Sequence, residues 1–145
     1  MAAGSGLYEA KEQASMNTNP DLVELESPDA FAPTLERIAN AIESHGLTVL
    51  ARVDHAAGAR AVGLAMPSTI VLFYGNPKGG TPLMLAAPQA ALDLPLRVLV
   101  REREDGKAIV AFHPAAPMLK RAGVPDALTS KLDPAQAILA AALKG

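Results

Sequence analysis

Cysteine is absent from this 145-residue chain, which excludes thiol catalysis, disulfide bonds and cysteine-based metal sites. Aromatic residues are scarce, with two tyrosines, three phenylalanines and no tryptophan, so few rings are present to stack on nucleic-acid bases. The formal net charge is −2, whereas nucleic-acid-binding domains usually carry a basic face. These shortages argue against a dedicated nucleic-acid-binding protein.

Long apolar runs are missing as well. No stretch reaches the roughly 18 apolar residues that a membrane-spanning helix requires, and no basic segment followed by an apolar one marks a secretory signal. We therefore expect a cytoplasmic protein without a membrane partner. Apolar residues still make up 50% of the chain, enough for one domain with its own hydrophobic core.

The first 20 residues differ in character from the rest. They are small, polar and charged, and Gly4-Ser5-Gly6 is typical of a linker. Two interpretations stay open: an artificial leader or tag placed before a native Met16, or a natural flexible tail. We predict a flexible leader or tag over residues 1–20 and a single domain over residues 21–145.

Periodicity divides this domain into strands and helices. The predicted strands are Leu22–Glu26, Thr48–Val53, Thr69–Tyr74, Leu96–Arg101 and Ala108–His113. Helices are predicted from Ser27-Pro28 to His45-Gly46, over Ala56–Ala65, from Thr81-Pro82, over Pro114–Ala122, and from Asp133. The order predicts an α+β fold with a mostly antiparallel sheet. A bare second face of that sheet would need a partner, so we expect a homodimer.

Two helix starts carry capping signals. Ser27-Pro28 is typical of an N-cap followed by a proline at the first helical position. Asp133-Pro134-Ala135-Gln136 combines a cap, a first-turn proline and a reciprocal glutamine. We therefore predict that Ser27 and Gln136 both serve helix capping.

The stretch Thr69–Pro82 is the most distinctive in the chain. A buried strand is predicted over Thr69–Tyr74, followed by a loop, Gly75-Asn76-Pro77-Lys78-Gly79-Gly80. In one interpretation the loop binds an anion, because its glycines let N–H groups converge, Lys78 adds charge, and a helix starting near Thr81 contributes its dipole. In the other, the glycines only satisfy the backbone angles of a tight loop.

Polar residues at three other positions are further candidates. Asp54 beside His55 suits acid–base chemistry, although Asp54 also fits as the cap of the following short helix. Asp93 either makes a turn or lines the same pocket as the glycine-rich loop. The spacing of His45, His55 and His113 matches no zinc or iron site, so neither a metal nor a cofactor is expected.

Several motifs, in order, resemble the domain of unknown function 302 family. They are Asp54-His55-Ala56-Ala57-Gly58-Ala59, Gly75-Asn76-Pro77, Gly80-Thr81-Pro82-Leu83-Met84, Asp93-Leu94-Pro95-Leu96 and the hairpin Glu104-Asp105-Gly106-Lys107. The resemblance extends over residues 22–124. It implies a TBP-like fold of strand, helix, four strands and helix, and a tendency to form dimers. It implies neither DNA binding nor a settled activity.

These observations support three hypotheses about function. The first is a homodimeric, non-enzymatic binding module for a small anionic or polar ligand, and it requires one pocket shared by Asp54, His55, Gly75, Asn76, Lys78, Gly80, Thr81 and Asp93. The alternative is a hydrolase-type or isomerase-type enzyme at the same pocket, with His55 as base, Asp54 or Asp93 orienting it, and loop amides holding an oxyanion. The third is a structural dimer whose motif residues serve only turns and subunit contacts.

Overall fold

The computed structural model describes residues 19–144, so most of the predicted leader and the final residue lie outside the described part of the chain. The strands are β1 Val23–Ala30, β2 Thr48–Asp54, β3 Thr69–Gly75, β4 Leu96–Glu102 and β5 Lys107–Phe112. The α-helices are α1 Phe31–Ser44, α2 His55–Ala61, α3 Pro77–Ala86, α4 Ala115–Arg121 and α5 Asp133–Lys144. Short 3₁₀ segments cover Pro88–Asp93 and Asp126–Leu128.

The five strands form one sheet in the order β1-β5-β4-β3-β2. Every neighbouring pair is antiparallel. The predicted α+β class, with an antiparallel sheet and short helical insertions, is confirmed. Because β1 and β2 lie at opposite edges, α1 crosses the sheet between them and contacts β1, β2, β4 and β5.

The hydrophobic core lies between one face of the sheet and the helices. On β3, Leu72 and Tyr74 point into it, as Val98 and Val100 do on β4, all fully buried. The helices add residues spaced three or four apart, which puts them on one helix face: Leu35, Ile38 and Ile42 from α1, and Leu139 and Leu143 from α5. Burying each such aliphatic side chain contributes about 1.5–3 kcal/mol.

The opposite side of the sheet, here called the outer face, carries Val71, Phe73, Leu99, Ile109 and Ala111. Pairing across the strands places Val71 beside Leu99 and Leu99 beside Ala111. None of the five belongs to the core cluster; Ile109 and Ala111 are buried, whereas Val71, Phe73 and Leu99 remain half-buried. Arg97, which pairs with Phe73, lies on the same face and is exposed, so the outer face carries a small apolar patch with charged neighbours.

Charged pairs border the outer face along β1. Arg101 lies 3.8 Å from Glu24, and Arg103 lies 3.2 Å from Glu26. These residues are partly exposed, so each pair contributes at most about 1 kcal/mol. They give the apolar surface a polar rim.

The start of α1 differs from the prediction. β1 continues through Ser27 to Ala30, which pairs with Lys107, so α1 begins only at Phe31. Ser27 does not cap the helix; its buried hydroxyl lies 2.6 Å from that of Thr34. Pro33 is tolerated in the first turn because the N–H groups there have no intrahelical partner to lose.

A β-bulge changes the predicted faces of β2. Val49 pairs with Tyr74 and Ala51 pairs with Phe73, so Leu50 is the extra residue between two neighbouring positions of β3. Since neighbouring strand residues point to opposite faces, Val49 faces the core and Ala51 the outer face. Regular strand alternation would put both on one face, and the bulge separates them.

Gln136 has a different role from the predicted cap. Its side chain is buried, its Oε1 accepts a hydrogen bond from Ala115 N–H at 2.9 Å, and its Nε2 donates to His113 C=O at 2.8 Å. It therefore ties α5 to the junction between β5 and α4. The glutamine that resembles a helix-capping residue is a tertiary contact.

Candidate functional site

A cavity of about 410 Å³ lies at the end of the sheet where β3 ends and β4 begins. The first turn of α3 forms one wall, and the segments that lead into β2, β4 and α5 form the others. This cavity is called the α3 cavity. Its lining residues are Leu47, Thr48, Leu50, Tyr74, Gly75, Asn76, Pro77, Gly79, Gly80, Thr81, Met84, Leu94, Pro95, Leu96, Leu132 and Ala135.

The predicted glycine-rich loop is largely helix, because α3 begins at Pro77 rather than near Thr81. Asn76 is the N-cap, and its Oδ1 accepts a hydrogen bond from Gly79 N–H at 2.9 Å. Pro77 takes the first helical position, where its missing N–H costs nothing. The dipeptide Asn76-Pro77 was therefore the available signal for a helix start, and the loop prediction overlooked it.

An anion-binding nest does not form here. The N–H of Gly79 is occupied by the Asn76 side chain, and the N–H of Gly80 donates to Asn76 C=O at 3.1 Å. Neither glycine has a positive φ angle. The two amides therefore serve the helix start, and the predicted convergence of free N–H groups is wrong.

Gly79 and Gly80 are instead notable for the space that they leave. A Cβ atom at Gly79 would lie 3.5 Å from Leu132 Cδ2, and one at Gly80 would lie 3.7 Å from Met84 Cε, both ordinary contacts. Neither backbone geometry nor close packing requires a glycine at these positions. Since glycine costs about 1 kcal/mol relative to alanine inside a helix, this pair lowers helix stability while keeping the cavity wall open.

Tyr74 is the titratable residue of the described lining, and it is fully buried. Its hydroxyl donates a hydrogen bond to Ala135 C=O at 3.0 Å, which links β3 to the start of α5. Burial raises the pKa of this hydroxyl well above its usual range. The group therefore stays protonated and cannot act as a base at neutral pH.

The rest of the described lining carries no charge. Its polar side chains, besides Tyr74, belong to Thr48, Asn76 and Thr81, while leucine, methionine, proline and glycine make up most of the surface. A volume of several hundred Å³ with mainly apolar walls and a few polar groups is typical of small-molecule sites. The arrangement suits binding better than proton transfer.

Four of the eight predicted site residues line the α3 cavity: Gly75, Asn76, Gly80 and Thr81. Lys78 lies on the first turn of α3, exposed and outside the lining. Asp93 ends the 3₁₀ segment before β4, and its neighbours Leu94 and Pro95 reach the cavity instead.

The prediction that Asp54 and His55 share this pocket is wrong. Asp54 pairs with Ile70 whereas Thr48, at the cavity, pairs with Gly75. The two pairs lie five residues apart along β3, about 17 Å at the rise of a strand. Because β2 and β3 pair antiparallel, the last residue of β2 and the last residue of β3 lie at opposite ends of the sheet along the strand direction.

Asp54 caps α2, since its Oδ1 accepts a hydrogen bond from Ala57 N–H at 2.9 Å. The capping interpretation of this residue is thereby confirmed. His55 takes the first position of α2 and is exposed, and within residues 19–144 its ring has no carboxylate partner. The pair therefore lacks the geometry of an acid–base site.

The other two histidines contact backbone carbonyls. His45 Nδ1 lies 2.7 Å from Ala41 O, and His113 Nδ1 lies 2.6 Å from Asp21 O. In the described part of the chain, no three residues of the His, Asp and Glu types are grouped to hold a metal ion. Over the same residues, no helix has both the length and the apolar character to cross a membrane.

Sequence reasoning missed the cavity residues contributed by distant segments. Leu47 precedes β2, Leu94 and Pro95 precede β4, and Leu132 and Ala135 lie at the start of α5. Only tertiary folding brings them to α3. The motif Asp93-Leu94-Pro95-Leu96 carries a usable signal, because its three apolar residues line the cavity while Asp93 does not.

Comparison with solved structures supports the fold. A crystal structure of an uncharacterized conserved DUF302 protein from Bacillus stearothermophilus matches with a TM-score of 0.74 and 17% sequence identity. The match covers 86% of this chain and 96% of that chain. At such low identity the similarity concerns the fold alone.

Curated relatives share more sequence. Fluoride-specific ion channel FluC 1 of Brucella suis biovar 1 is 41% identical over 100 residues, which is 69% of this chain and 39% of the relative. FluC 1 of Brucella abortus biovar 1 and FluC 2 of Brucella melitensis biotype 1 are also 41% identical over 100 residues, or 69% of this chain and 37% of each relative. The chain thus spans less than two fifths of the length of each of these relatives.

A family model described as domain of unknown function DUF302 matches residues 23–145, nearly the whole of the predicted domain. The resemblance deduced from the sequence motifs is confirmed by this match and by the structural neighbour. The chain belongs to the DUF302 family of domains of unknown function.

Proposed function

We propose that this domain is a homodimeric binding module that takes a small organic molecule into the α3 cavity. The proposal keeps the binding module expected from the sequence and moves its site. Asn76, Gly80 and Thr81 stay in the site, and the apolar residues around Leu94 and Leu132 replace Asp54 and His55.

The glycine pair in α3 carries this proposal. Gly79 and Gly80 lie in the helical wall of the cavity, where a Cβ atom would fit without strain. Alanine would give a more stable helix at both positions. A role in keeping the cavity open for a ligand accounts for two glycines that the fold itself does not require.

A binding role is favoured over an enzymatic one. Within the described lining, Tyr74 is the titratable residue, and its hydroxyl is already donated to Ala135 C=O. The acid–base alternative placed His55 in the cavity, yet His55 lies at the other end of the sheet. The cavity therefore lacks the groups that a hydrolase or isomerase of that design would use.

Native mass spectrometry of the protein purified from its own host tests the proposal. We expect the wild type to retain an additional small mass and a Gly80→Leu variant, whose side chain would occupy part of the cavity, to lose it. Gly58→Leu is the matched control, because Gly58 also lies in a helix but has no atom within 4 Å of its Cβ position. A wild type without added mass, or a mass that Gly80→Leu retains, would contradict the proposal.

Dimer formation through the outer face completes the proposal. Val71, Phe73 and Leu99 form an apolar patch, and Arg97 together with the pairs of β1 with Arg101 and Arg103 forms its polar surroundings. Apolar surfaces with polar rims are common at protein interfaces.

The name of the curated relatives favours a second proposal, which concerns the process that such a domain serves. Proteins called fluoride-specific ion channels contain a segment similar to this chain, so we propose that domains of this type can regulate ion transport by binding a ligand. Fluoride itself is a poor fit for the α3 cavity because the described lining offers it no cation. A regulatory ligand different from the transported ion is the better match.

A further inference from the structure

We infer that the α3 cavity takes an uncharged molecule with an apolar skeleton and a hydrogen-bond acceptor, such as a carbonyl oxygen, which binds the side-chain amide of Asn76. This inference rests on the proposed function and names the chemical class of its ligand. It replaces the anionic ligand expected from the sequence.

The absence of charge in the described lining determines the charge of the ligand. Thr48, Asn76 and Thr81 offer neutral polar groups, and no lysine, arginine, aspartate or glutamate belongs to the lining. An ionised ligand group placed against these walls would lose part of its hydration without gaining an opposite charge, which is unfavourable. Lys78 is exposed and outside the lining, so it does not neutralise an anion inside.

The walls determine the skeleton of the ligand. Leu47, Leu94, Leu96 and Leu132 contribute aliphatic surface, and Met84 adds a flexible side chain that adapts to irregular shapes. The volume of about 410 Å³ far exceeds that of a single water molecule, about 30 Å³ in the liquid. Alkyl or aryl groups fill such a space favourably.

Asn76 supplies the specific polar contact. Its Oδ1 accepts the hydrogen bond from Gly79 N–H at 2.9 Å, and this bond fixes the orientation of the side-chain amide. Across residues 19–144 its Nδ2 group has no hydrogen-bond acceptor, and Asn76 is itself part of the lining. The amide therefore presents free N–H donors that match a carbonyl or ether oxygen of a ligand.

Displacement of prodan, an uncharged naphthyl ketone whose fluorescence shifts in apolar surroundings, tests the charge of the ligand. The competitors are decanamide, decanoate and decylammonium at neutral pH, which share a chain length and differ in charge. We expect decanamide to displace prodan at a concentration about tenfold or more below those of the two ions. Displacement by decanoate at an equal or lower concentration would overturn the inference.

Variants of Asn76 test the hydrogen bond. Asn76→Asp and Asn76→Ser both keep an oxygen that caps α3 and remove the N–H donors, so decanamide should bind about tenfold more weakly. Asp54→Asn is the control, because it exchanges the corresponding cap of α2 outside the cavity. Unchanged decanamide binding by both Asn76 variants would overturn the role of the acceptor.

The same experiment separates this inference from the proposed function. If neither prodan nor decanamide binds the wild type, as checked by calorimetry, the α3 cavity is not a site for small organic molecules and both fail. If prodan binds and decanoate competes best, the cavity is a binding site and only the uncharged ligand class is wrong.

Discussion

Gly80 lowers the stability of α3 and at the same time leaves space in the cavity. The residue lies in the first turns of α3, lacks a positive φ angle, and has room for a Cβ atom between Met84 and Leu94. Structure alone therefore favours alanine, while the cavity gains from glycine. A single substitution at Gly80 should therefore change protein stability and ligand binding in opposite directions.

We expect Gly80→Ala to raise the free energy of unfolding by about 0.5–1 kcal/mol and to weaken ligand binding. Urea denaturation measures the first effect and prodan titration the second. Gly58→Ala in α2 should stabilise similarly and leave binding unchanged. A Gly80→Ala protein that is less stable than the wild type would refute the argument that this glycine is structurally unnecessary.

Gln136 shows a different residue-scale effect, because one side chain satisfies two backbone groups. We expect Gln136→Leu to lower the free energy of unfolding by about 2–4 kcal/mol, since it leaves Ala115 N–H and His113 C=O without partners. Chemical denaturation of the two proteins measures this difference, and a Leu variant as stable as the wild type would contradict it.

At the scale of single elements, the hairpin between β4 and β5 follows its sequence closely. Asp105-Gly106 predicted a tight turn, and Gly106 has a φ angle of +86° there. Gly46 likewise lies at the predicted end of the first helix, and its φ angle is +80°. Local signals succeed at these sites because a left-handed backbone is favourable chiefly for glycine.

The hairpin also predicts a pH dependence. The hydrogen bond from Arg103, together with that from Lys107 N–H, lowers the pKa of Asp105 from 3.8 to about 2. The folded-state pKa is therefore below the unfolded one, so the stabilisation is complete above about pH 4 and is lost as the pH falls towards 2. Carbon NMR titration of Asp105 measures this pKa directly.

Comparison with Asp105→Asn tests the linkage to stability. The variant lacks the titrating group, so the difference in stability between wild type and variant should shrink as the pH falls from about 4 to about 2. A difference that stays constant over this range would show that Arg103 does not favour the charged form of Asp105 in the folded protein.

Local signals failed where two interpretations shared the same residues. Asn76-Pro77 is a helix start, yet the following glycines suggested a loop, and the helix prevailed because Asn76 satisfies the N–H of Gly79. In β2, a single extra residue, Leu50, shifted Val49 to the core face. Neither the bulge nor the long-range partners of Gln136 can be recognised from the periodicity of apolar residues in the sequence.

At the scale of the whole molecule, strand direction determines which predicted site residues meet. A mostly antiparallel sheet was predicted, and the antiparallel pairing of β2 with β3 implies that the ends of these two strands lie apart. Asp54 and Gly75 each end a strand, and in the sequence this shared position favours placing them in one site. The apolar half of the cavity was not predictable, since Leu94 and Leu132 join α3 only through the packing of distant segments.

The outer face predicts the assembly of the molecule. We expect light scattering after size-exclusion chromatography to give twice the mass of one chain for the wild type and the mass of one chain for Leu99→Lys, which places a charge at the centre of the proposed interface. Leu92→Lys is the control, since Leu92 is 88% exposed and lies in the 3₁₀ segment rather than on the sheet. A monomeric wild type, or equal dissociation by both variants, would contradict the proposal.

The most direct test of the central claim is an NMR titration of isotope-labelled protein with prodan. If the α3 cavity binds small organic molecules, amide shifts should concentrate at Gly79, Gly80, Thr81, Leu94 and Leu132, and Gly80→Leu should abolish them. Asp54 and His55 should remain unchanged, because they lie at the opposite end of the sheet. Shifts centred on the outer face or on α2, or none at saturating prodan, would contradict the account.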